Sequence, residues 1–309
     1  MRYPRPMPAT TPQTPPGKIA VTAASGRLGH AILGALLDAT DPAAGQVVAI
    51  ARDPSRVNVA GIATRQGDYS SIEQMTAALA GIDTAVLISA PVAGGGDRLQ
   101  LHSNAITAAV QAGVRKIIYT SVISNGAEAG TLFADFARVN RATETAVQSS
   151  GLEWIIGRNG LYLDLDVVQM RAAAHAGGIY RNSGGTGRCG YIAIAELGYA
   201  YARLALSEHC NGRCLSLIGP TYTQAELVSA VNGACQLEVR YAPISHADNL
   251  ARLQSIDMLA SRGEEVINML AGCFQCIAAG VFDVPSEYEV AAGREPRSLQ
   301  QQLRELGAG

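Results

Sequence analysis

The segment Ala23-Ala-Ser-Gly-Arg-Leu-Gly29 sets two glycines three apart, directly after an apolar run and directly before a helical repeat of hydrophobic residues. Its chemistry would be anion binding. A helix starting at such a turn offers unpaired N–H groups and a partial positive charge to a phosphate. Gly26 lets the backbone approach the anion without a Cβ, and Gly29 lets the helix lie close on the preceding strand. Arg52 ends a second apolar run, at a place where NAD-binding chains usually carry an acid for the ribose hydroxyls. No acid occurs between Asp41 and Asp53. The Arg52 guanidinium presents a fork of donors suited to a ribose 2′-phosphate, so NADPH is expected in preference to NADH. A solvated arginine, with Asp53 reaching the ribose, is the competing reading. Farther on, Asp68 in Gly67-Asp-Tyr69 is placed either to accept from an adenine amino group or to cap the next helix.

The alternation of elements must position these residues. Lys18 to Thr22 reads as a short buried strand. Leu28, Ile32, Ala35, Leu36 and Ala39 then recur at helical spacing, and Gln46 to Ala51 reads as a second strand. Strand, turn, helix and strand within about 35 residues form the βαβ unit of a dinucleotide site; the alternative is an α/β domain with an ordinary tight turn. Further strands are expected near 62–65, 82–89, 114–121 and 152–158, with helices over 70–80, 97–112 and 132–150, and a mobile loop at Gly94–Gly96. Such alternation gives an α/β, doubly wound parallel sheet. Ligands of these sheets bind at the C-terminal strand ends, where Ser89, Ser121 and the segment after Arg158 fall.

The accumulated residues resemble the NmrA-like branch of the atypical short-chain dehydrogenases, and within it the NADPH-dependent quinone oxidoreductases and triphenylmethane dye reductases. The matching segments are Ile19 to Gly29, Val48 to Arg52, Gly67 to Tyr69, Leu87 to Ser89, Tyr119 to Ser121, Thr143-Glu144 and Arg158-Asn-Gly-x-Tyr162. The resemblance covers most of 18–165 and fades beyond 220. It implies a Rossmann-type sheet with a smaller C-terminal substrate lobe. NADPH would be held by Ala23, Ala24, Ser25, Gly26, Arg27, Leu28 and Arg52, with Ser89, Asn159 and Gly160 nearby. The segment Asn159 to Tyr162 would lie beside the nicotinamide and line the acceptor pocket. Residues 18–158, completed by about 190–220, would form the nucleotide domain, and 159–189 with 221–309 the acceptor lobe.

Two residues depart from the family pattern. Ala23 stands where a glycine is usual; a positive φ there would cost roughly 1–2 kcal/mol. Asn140 stands where His or Lys is frequent and cannot donate a titrating proton. Conventional short-chain dehydrogenases protonate an alkoxide with Tyr-x-x-x-Lys. None of the eleven tyrosines has Lys at +4, and the chain holds only Lys18 and Lys116. Simple ketone reduction is therefore disfavoured. A quinone or a triarylmethyl cation needs no strong acid, because hydride gives a delocalised anion or quenches the charge, and positioning can supply much of the rate. A site without an obvious acid is what this chemistry allows. Tyr162, Asn140 and Ser121 are the catalytic candidates. Ser121 is read as the inward donor of its strand, with Tyr119 on the other side. Phe133, Phe136, Tyr162 and Tyr191 are the pocket candidates, each with core packing as its alternative. The rival functions are a dinucleotide-binding sensor without turnover and a reductase of an enone or benzylic ether.

Composition bounds the rest. A chain of 309 residues, 48% hydrophobic and 16% charged, has the makings of a folded protein. A net charge of −2 gives no positive field for nucleic acid. No run reaches the roughly 18 apolar residues of a membrane span; Val266 to Phe282 comes nearest and reads as buried helix. A small-molecule acceptor is the expected partner, without nucleic acid or membrane, and homo-oligomer formation is left open. No secretory signal is apparent, so a reducing cytoplasmic setting with six free thiols is expected. Residues 1–17 hold six of the thirteen prolines and read as an extended or disordered tail, or as a docking arm. Cys273-Phe-Gln-Cys276 and Cys210 with Cys214 are read as packing rather than metal or redox pairs, and no metal site is expected. Among the histidines, His30 is read as a surface residue and His175 is kept as a proton-donor candidate. Gly177 to Gly190 is either a lid or a tight hairpin linking the lobes. Leu215 to Pro220 should rejoin the main sheet, Thr223-Gln-Ala-Glu226 reads as a capping box, and Arg294 to Leu306 as a surface helix.

Overall fold

The computed structural model of the protein describes residues 17–40, 45–92 and 96–307. The proline-rich tail up to residue 16 and the start of the Gly94–Gly96 loop lie outside the described residues. The nucleotide half runs β1 (Ile19–Val21), α1 (Arg27–Ala39), β2 (Val47–Ala51), β3 (Ala63–Gln66), α2 (Ile72–Leu79), β4 (Thr84–Ile88), α3 (Arg98–Gln111), β5 (Lys116–Val122), α4 (Ala134–Gln148) and β6 (Glu153–Asn159). Every residue of β1 and β2 is buried, which is why these strands read as unbroken apolar runs. The chain then makes β7 (Leu161–Tyr162), α5 (Leu163–His175), β8 (Ile179–Asn182), β9 (Arg188–Ile192) and α6 (Ile194–Ala205). It returns to the sheet as β10 (Arg213–Leu217). The last part is β11 (Thr221–Thr223), α7 (Gln224–Cys235), β12 (Arg240–Pro243), α8 (His246–Gln254), α9 (Asp257–Ala260), α10 (Glu264–Ala278), α11 (Tyr288–Ala292) and α12 (Leu299–Gly307).

Seven strands form one parallel sheet in the order β10-β6-β5-β4-β1-β2-β3. The order reverses between β1 and β4, which opens a crevice at the C-terminal strand ends. Helices α1, α6 and α11 cover one face, around Ile32, Leu36, Leu197 and Tyr201. Helices α2, α3 and α4 cover the other, around Met75, Ile106 and Tyr119. The smaller C-terminal lobe has its own core, including Met170, Tyr191, Leu227, Phe274 and Ile277. Two small sheets, β11-β9-β7 and β12-β8, brace it.

The glycine-rich stretch 177–190 is a connection, as one of its two readings has it, but not a tight hairpin. Its strands β8 and β9 do not pair with each other: β8 pairs with β12, and β9 with β7 and β11. The stretch therefore links two sheets and forms no hairpin. Gly187 fits because a Cβ there would meet the Ile277 carbonyl oxygen of α10 at 1.9 Å. The apolar run 266–282 holds most of α10, and no helix among the described residues is long and apolar enough to cross a membrane. Thr223 forms the expected capping box with Glu226. The stretch from Arg294 is not a surface helix throughout. Arg294 and Arg297 precede α12 and converge on Glu196, a fully buried carboxylate of α6.

Candidate functional site

The turn after β1 is shaped by two alanines and two glycines. Ala23 has φ of +47°, the left-handed region that its Cβ disfavours. Its carbonyl accepts from Gly26 N at 3.0 Å, and Ala24 N donates to Ile50 O at 3.0 Å, tying the turn to β2. A Cβ on Gly29 would lie 2.8 Å from the Cα and carbonyl oxygen of Ala24, so only glycine fits where α1 crosses the turn. Gly26 is the N-cap of α1, and no side chain caps that helix. The first-turn N–H groups, from Arg27 and Leu28 onward, are thus left for an anion. Ser25 is half-buried in the turn, Leu28 packs inward and Arg27 stands exposed. His30 Nδ1 lies 2.9 Å from the Gly26 carbonyl, with Asn58 N donating to its other nitrogen at 3.3 Å, so the ring braces the turn.

Arg52 is exposed just after β2, and no ion pair or hydrogen bond reaches its guanidinium among the described residues. Asp53 is committed elsewhere. Its Oδ1 accepts from Ser55 N at 3.1 Å and Ser55 Oγ at 2.6 Å, capping a short 3-10 turn. Those bonds hold its carboxyl below the usual range. Asp68 does not cap α2; Ser71 does. Asp68 Oδ1 instead accepts from Ser70 N at 2.9 Å in a local turn.

A cavity of about 450 Å³ lies where β4, β5 and β6 end, walled by α4, α5 and α10. Arg27, Ser89, Asn159 and Gly160 line its nucleotide side. Phe133, Phe136, Tyr162 and Tyr191 all line its wall. Phe133 stacks edge-on against Phe282 at 5.2 Å, and Phe136 lies under the Arg98 guanidinium at 4.5 Å. Gly160 sits where a Cβ would meet the Gly190 carbonyl oxygen at 2.6 Å, which brings β6 and β9 together beside the cavity. Asn159 Oδ1 accepts from Tyr201 OH at 2.6 Å, and its Nδ2 reaches Tyr162 OH at 3.4 Å. The Tyr162 hydroxyl has no acceptor for its own proton among the described residues. Burial pushes its pKa up, so it stays a neutral donor.

Two catalytic candidates have their polar groups engaged. The Ser121 hydroxyl donates to Glu144 Oε1 at 2.6 Å, inside a cluster in which Arg141 and Arg158 also bond Glu144. Asn140 is buried, with Oδ1 accepting from Tyr119 OH at 3.0 Å and Nδ2 donating to Phe136 O at 2.8 Å. The expected contrast between Ser121 and Tyr119 is corrected. Two residues apart on one strand, they share a face, and both side chains reach α4.

Three residues escaped the sequence reading. Arg98 donates through Nη2 to Ser89 Oγ at 2.8 Å and through Nε to Ala90 O at 3.0 Å. His102 is fully buried under the same loop. Ala90 N donates to its Nε2 at 2.8 Å, and its Nδ1 lies 2.8 Å from Thr143 Oγ1, whose own proton goes to Val139 O. That pattern assigns the proton to Nδ1. Burial, then the Arg98 charge, push its pKa down to about 3, so it holds the loop as a neutral ring. Asp166 of α5 lines the cavity, buried and, among the described residues, bonded only by Tyr180 OH at 2.8 Å. His175, by contrast, is exposed at the far end of α5 and lies outside the cavity wall. The cysteines are unpaired. Cys273 lines the cavity and Cys276 packs in the lobe core, where burial pushes its thiol up to about 11.

Residues 23–180, just over half of the chain, match the family described as NAD(P)H-binding. Quinone oxidoreductase 2 of Escherichia coli is 29% identical over 292 residues, covering 93% of this chain and 98% of its own. The structure of that enzyme with NADPH aligns at a TM-score of 0.79 and 28% identity, over 93% of this chain and 99% of the other. Triphenylmethane reductase of a Citrobacter species, solved with NADP(H), aligns at 0.79 and 25% identity, over 94% and 99%. NmrA, a negative transcriptional regulator solved with NAD, shares the fold at 0.66 and 17% identity, over 95% and 91%. The uncapped α1, the turn closed to any side chain at Gly29 and the unpaired Arg52 fit the cofactor that this match implies. The chain belongs to the NAD(P)H-binding family and is an NAD(P)H-dependent oxidoreductase.

Proposed function

We propose that the protein transfers hydride from NADPH to a quinone, a dye or a similar electrophilic aromatic acceptor, without a Tyr-Lys pair. The observation that carries this reading is the aromatic-walled cavity, which joins the nucleotide side of the sheet and takes in the uncommitted hydroxyl of Tyr162. Lys116 has no part in it: its Nζ is buried at the opposite strand end, bonded to Ser207 O at 2.7 Å and Glu208 at 3.3 Å. The activities for which the relatives are named, quinone and triphenylmethane reduction, support the acceptor class.

In this reading the α1 N-terminus and Arg27 hold the pyrophosphate, and Arg52 the 2′-phosphate. Asp68 lies by the adenine edge. Ser89, Asn159 and Gly160 border the nicotinamide, which when bound supplies the hydride. Phe133, Phe136 and Tyr191 hold a planar acceptor and exclude water. Tyr162 donates a hydrogen bond to its oxygen. Asn140 and Ser121 act as positioning residues, one fixing Tyr119 and the helix, the other fixing Glu144.

The test is NADPH oxidation by the purified protein with a panel of quinones and triarylmethane dyes. Acceptor-dependent oxidation with NADPH preferred to NADH is expected. A folded, NADPH-binding protein that turns over none of them would overturn this acceptor class and leave an enone or benzylic ether.

A further inference from the structure

Asp166 is the one carboxylic acid among the described residues that line the cavity. It is 7% exposed. It lies in the first turn of α5, four residues after Tyr162, the N-cap of that helix, and both side chains line the cavity. Its Oδ1 accepts from Tyr180 OH at 2.8 Å, and no cation among the described residues bonds it. The titratable groups around it are Tyr180 on β8, Cys189 and Tyr191 on β9 and Cys273 on α10. Burial pushes each of these up, so all stay neutral at ordinary pH. Arg27, Arg98 and Arg262 line the same cavity without bonding it.

We propose that Asp166 is the proton donor of the cavity, passing its carboxyl proton to the oxygen of a quinone as hydride arrives. This rests on the reading of the cavity as the acceptor site. Hydride from NADPH brings two electrons to the quinone, and an electron pair collects on a carbonyl oxygen. That oxygen forms an O–H bond as the Asp166 O–H bond breaks, leaving a carboxylate that solvent reprotonates through the cavity mouth. Quinone, NADPH and one proton become hydroquinone and NADP⁺. A triarylmethyl cation takes the hydride alone and needs no proton, so the two acceptors should depend differently on Asp166. Burial, opposed by the Tyr180 hydrogen bond, pushes the carboxyl up to about 6, which keeps it protonated in mildly acidic solution.

The experiment measures kcat and KM for a neutral quinone and a cationic triarylmethane dye across about pH 5 to 9, in the wild type, Asp166→Asn and Tyr180→Phe. The wild-type quinone rate should fall above about pH 6, by about tenfold per unit where proton delivery limits. Asp166→Asn should lose that limb and lower the quinone-to-dye ratio of kcat by about tenfold or more near pH 5.5. Tyr180→Phe removes the hydrogen bond that favours the carboxylate, so its limb should move to higher pH. Without turnover, a ¹³C-carboxyl resonance absent from Asp166→Asn should titrate with a midpoint near 6. An unchanged ratio and pH profile in Asp166→Asn would overturn the proposal alone. So would a loss confined to the dye's KM, which would make Asp166 a counter-charge, or a carboxyl midpoint near 4. A wild type that reduces neither acceptor, with the resonance still titrating near 6, would sink the acceptor reading and the proposal together.

Discussion

Arg52 carries the sharpest consequence at the scale of single residues. With no partner for its guanidinium among the described residues and with Asp53 committed to Ser55, its side chain is available for a 2′-phosphate. Arg52→Ala should weaken NADPH by about 10- to 100-fold, from roughly 1.5–3 kcal/mol of charge-assisted bonding. NADH should lose far less, and equal losses by calorimetry would remove the 2′-phosphate role. Ala23 holds a conformation that glycine adopts freely. Ala23→Gly should gain up to about 1 kcal/mol of stability net of the added chain entropy, with NADPH binding no weaker; a lower Tm would show that the turn relies on the methyl. Tyr162→Phe should slow turnover by several-fold if its free proton serves the acceptor, and an unchanged kcat would reduce the ring to packing. The residues legible in the sequence are those attached to a strand end or a glycine turn, such as Arg27, Arg52 and Tyr162. Arg98, His102 and Asp166 were illegible because each acts through a partner remote in the chain: Phe136, Thr143 and Tyr180. The Tyr119 and Ser121 contrast failed on strand periodicity itself, since alternate residues share a face.

At the scale of elements, the nucleotide half was readable almost throughout, because buried parallel strands announce themselves as apolar runs and their helices as stripes. The acceptor lobe was not. Its strands are short, and their pairing is decided by contacts distant in sequence, as β8 with β12. The contact of α1 with α6 shows how closely elements must meet. A Cβ on Gly198 would lie 2.6 Å from the Ala31 backbone. Because backbone cannot step aside as a side chain can, Gly198→Ala should cost about 1–3 kcal/mol. Urea unfolding measures it, and a neutral result would mean that the two helices slide apart freely. The same displacement would shift the N-terminus of α1, so NADPH affinity should fall with stability.

Across the whole molecule, two buried carboxylates set opposite acid responses. Glu196 accepts from Arg294, Arg297 and Tyr288, and these bonds overcome its burial to hold it down to about 2. Its stability is present above about pH 4.5 and is lost as pH falls towards 2. Glu196→Ala should cost about 1–3 kcal/mol, less than a fully buried pair because the two arginines left behind stay partly in water, and should detach the approach to α12 from α6; a loss under about 0.5 kcal/mol in urea would deny that anchor. Asp166 has the opposite sign. Its folded pKa is raised from 3.8 to about 6, so stability declines as pH rises through that window, by up to about 3 kcal/mol. Asp166→Asn should abolish the decline in urea titrations at about pH 4 and pH 8. The placement of β10 matters for the newborn chain as well. Strand β6, with Ile155 and Ile156 at its centre, is complete at Asn159, yet its outer neighbour arrives only with Arg213. While the intervening segment is being synthesised, an apolar strand edge stands open to foreign strands. The ribosome must deliver the acceptor wall before the nucleotide sheet can be sealed. A chain released early would therefore meet aggregation before it met its cofactor.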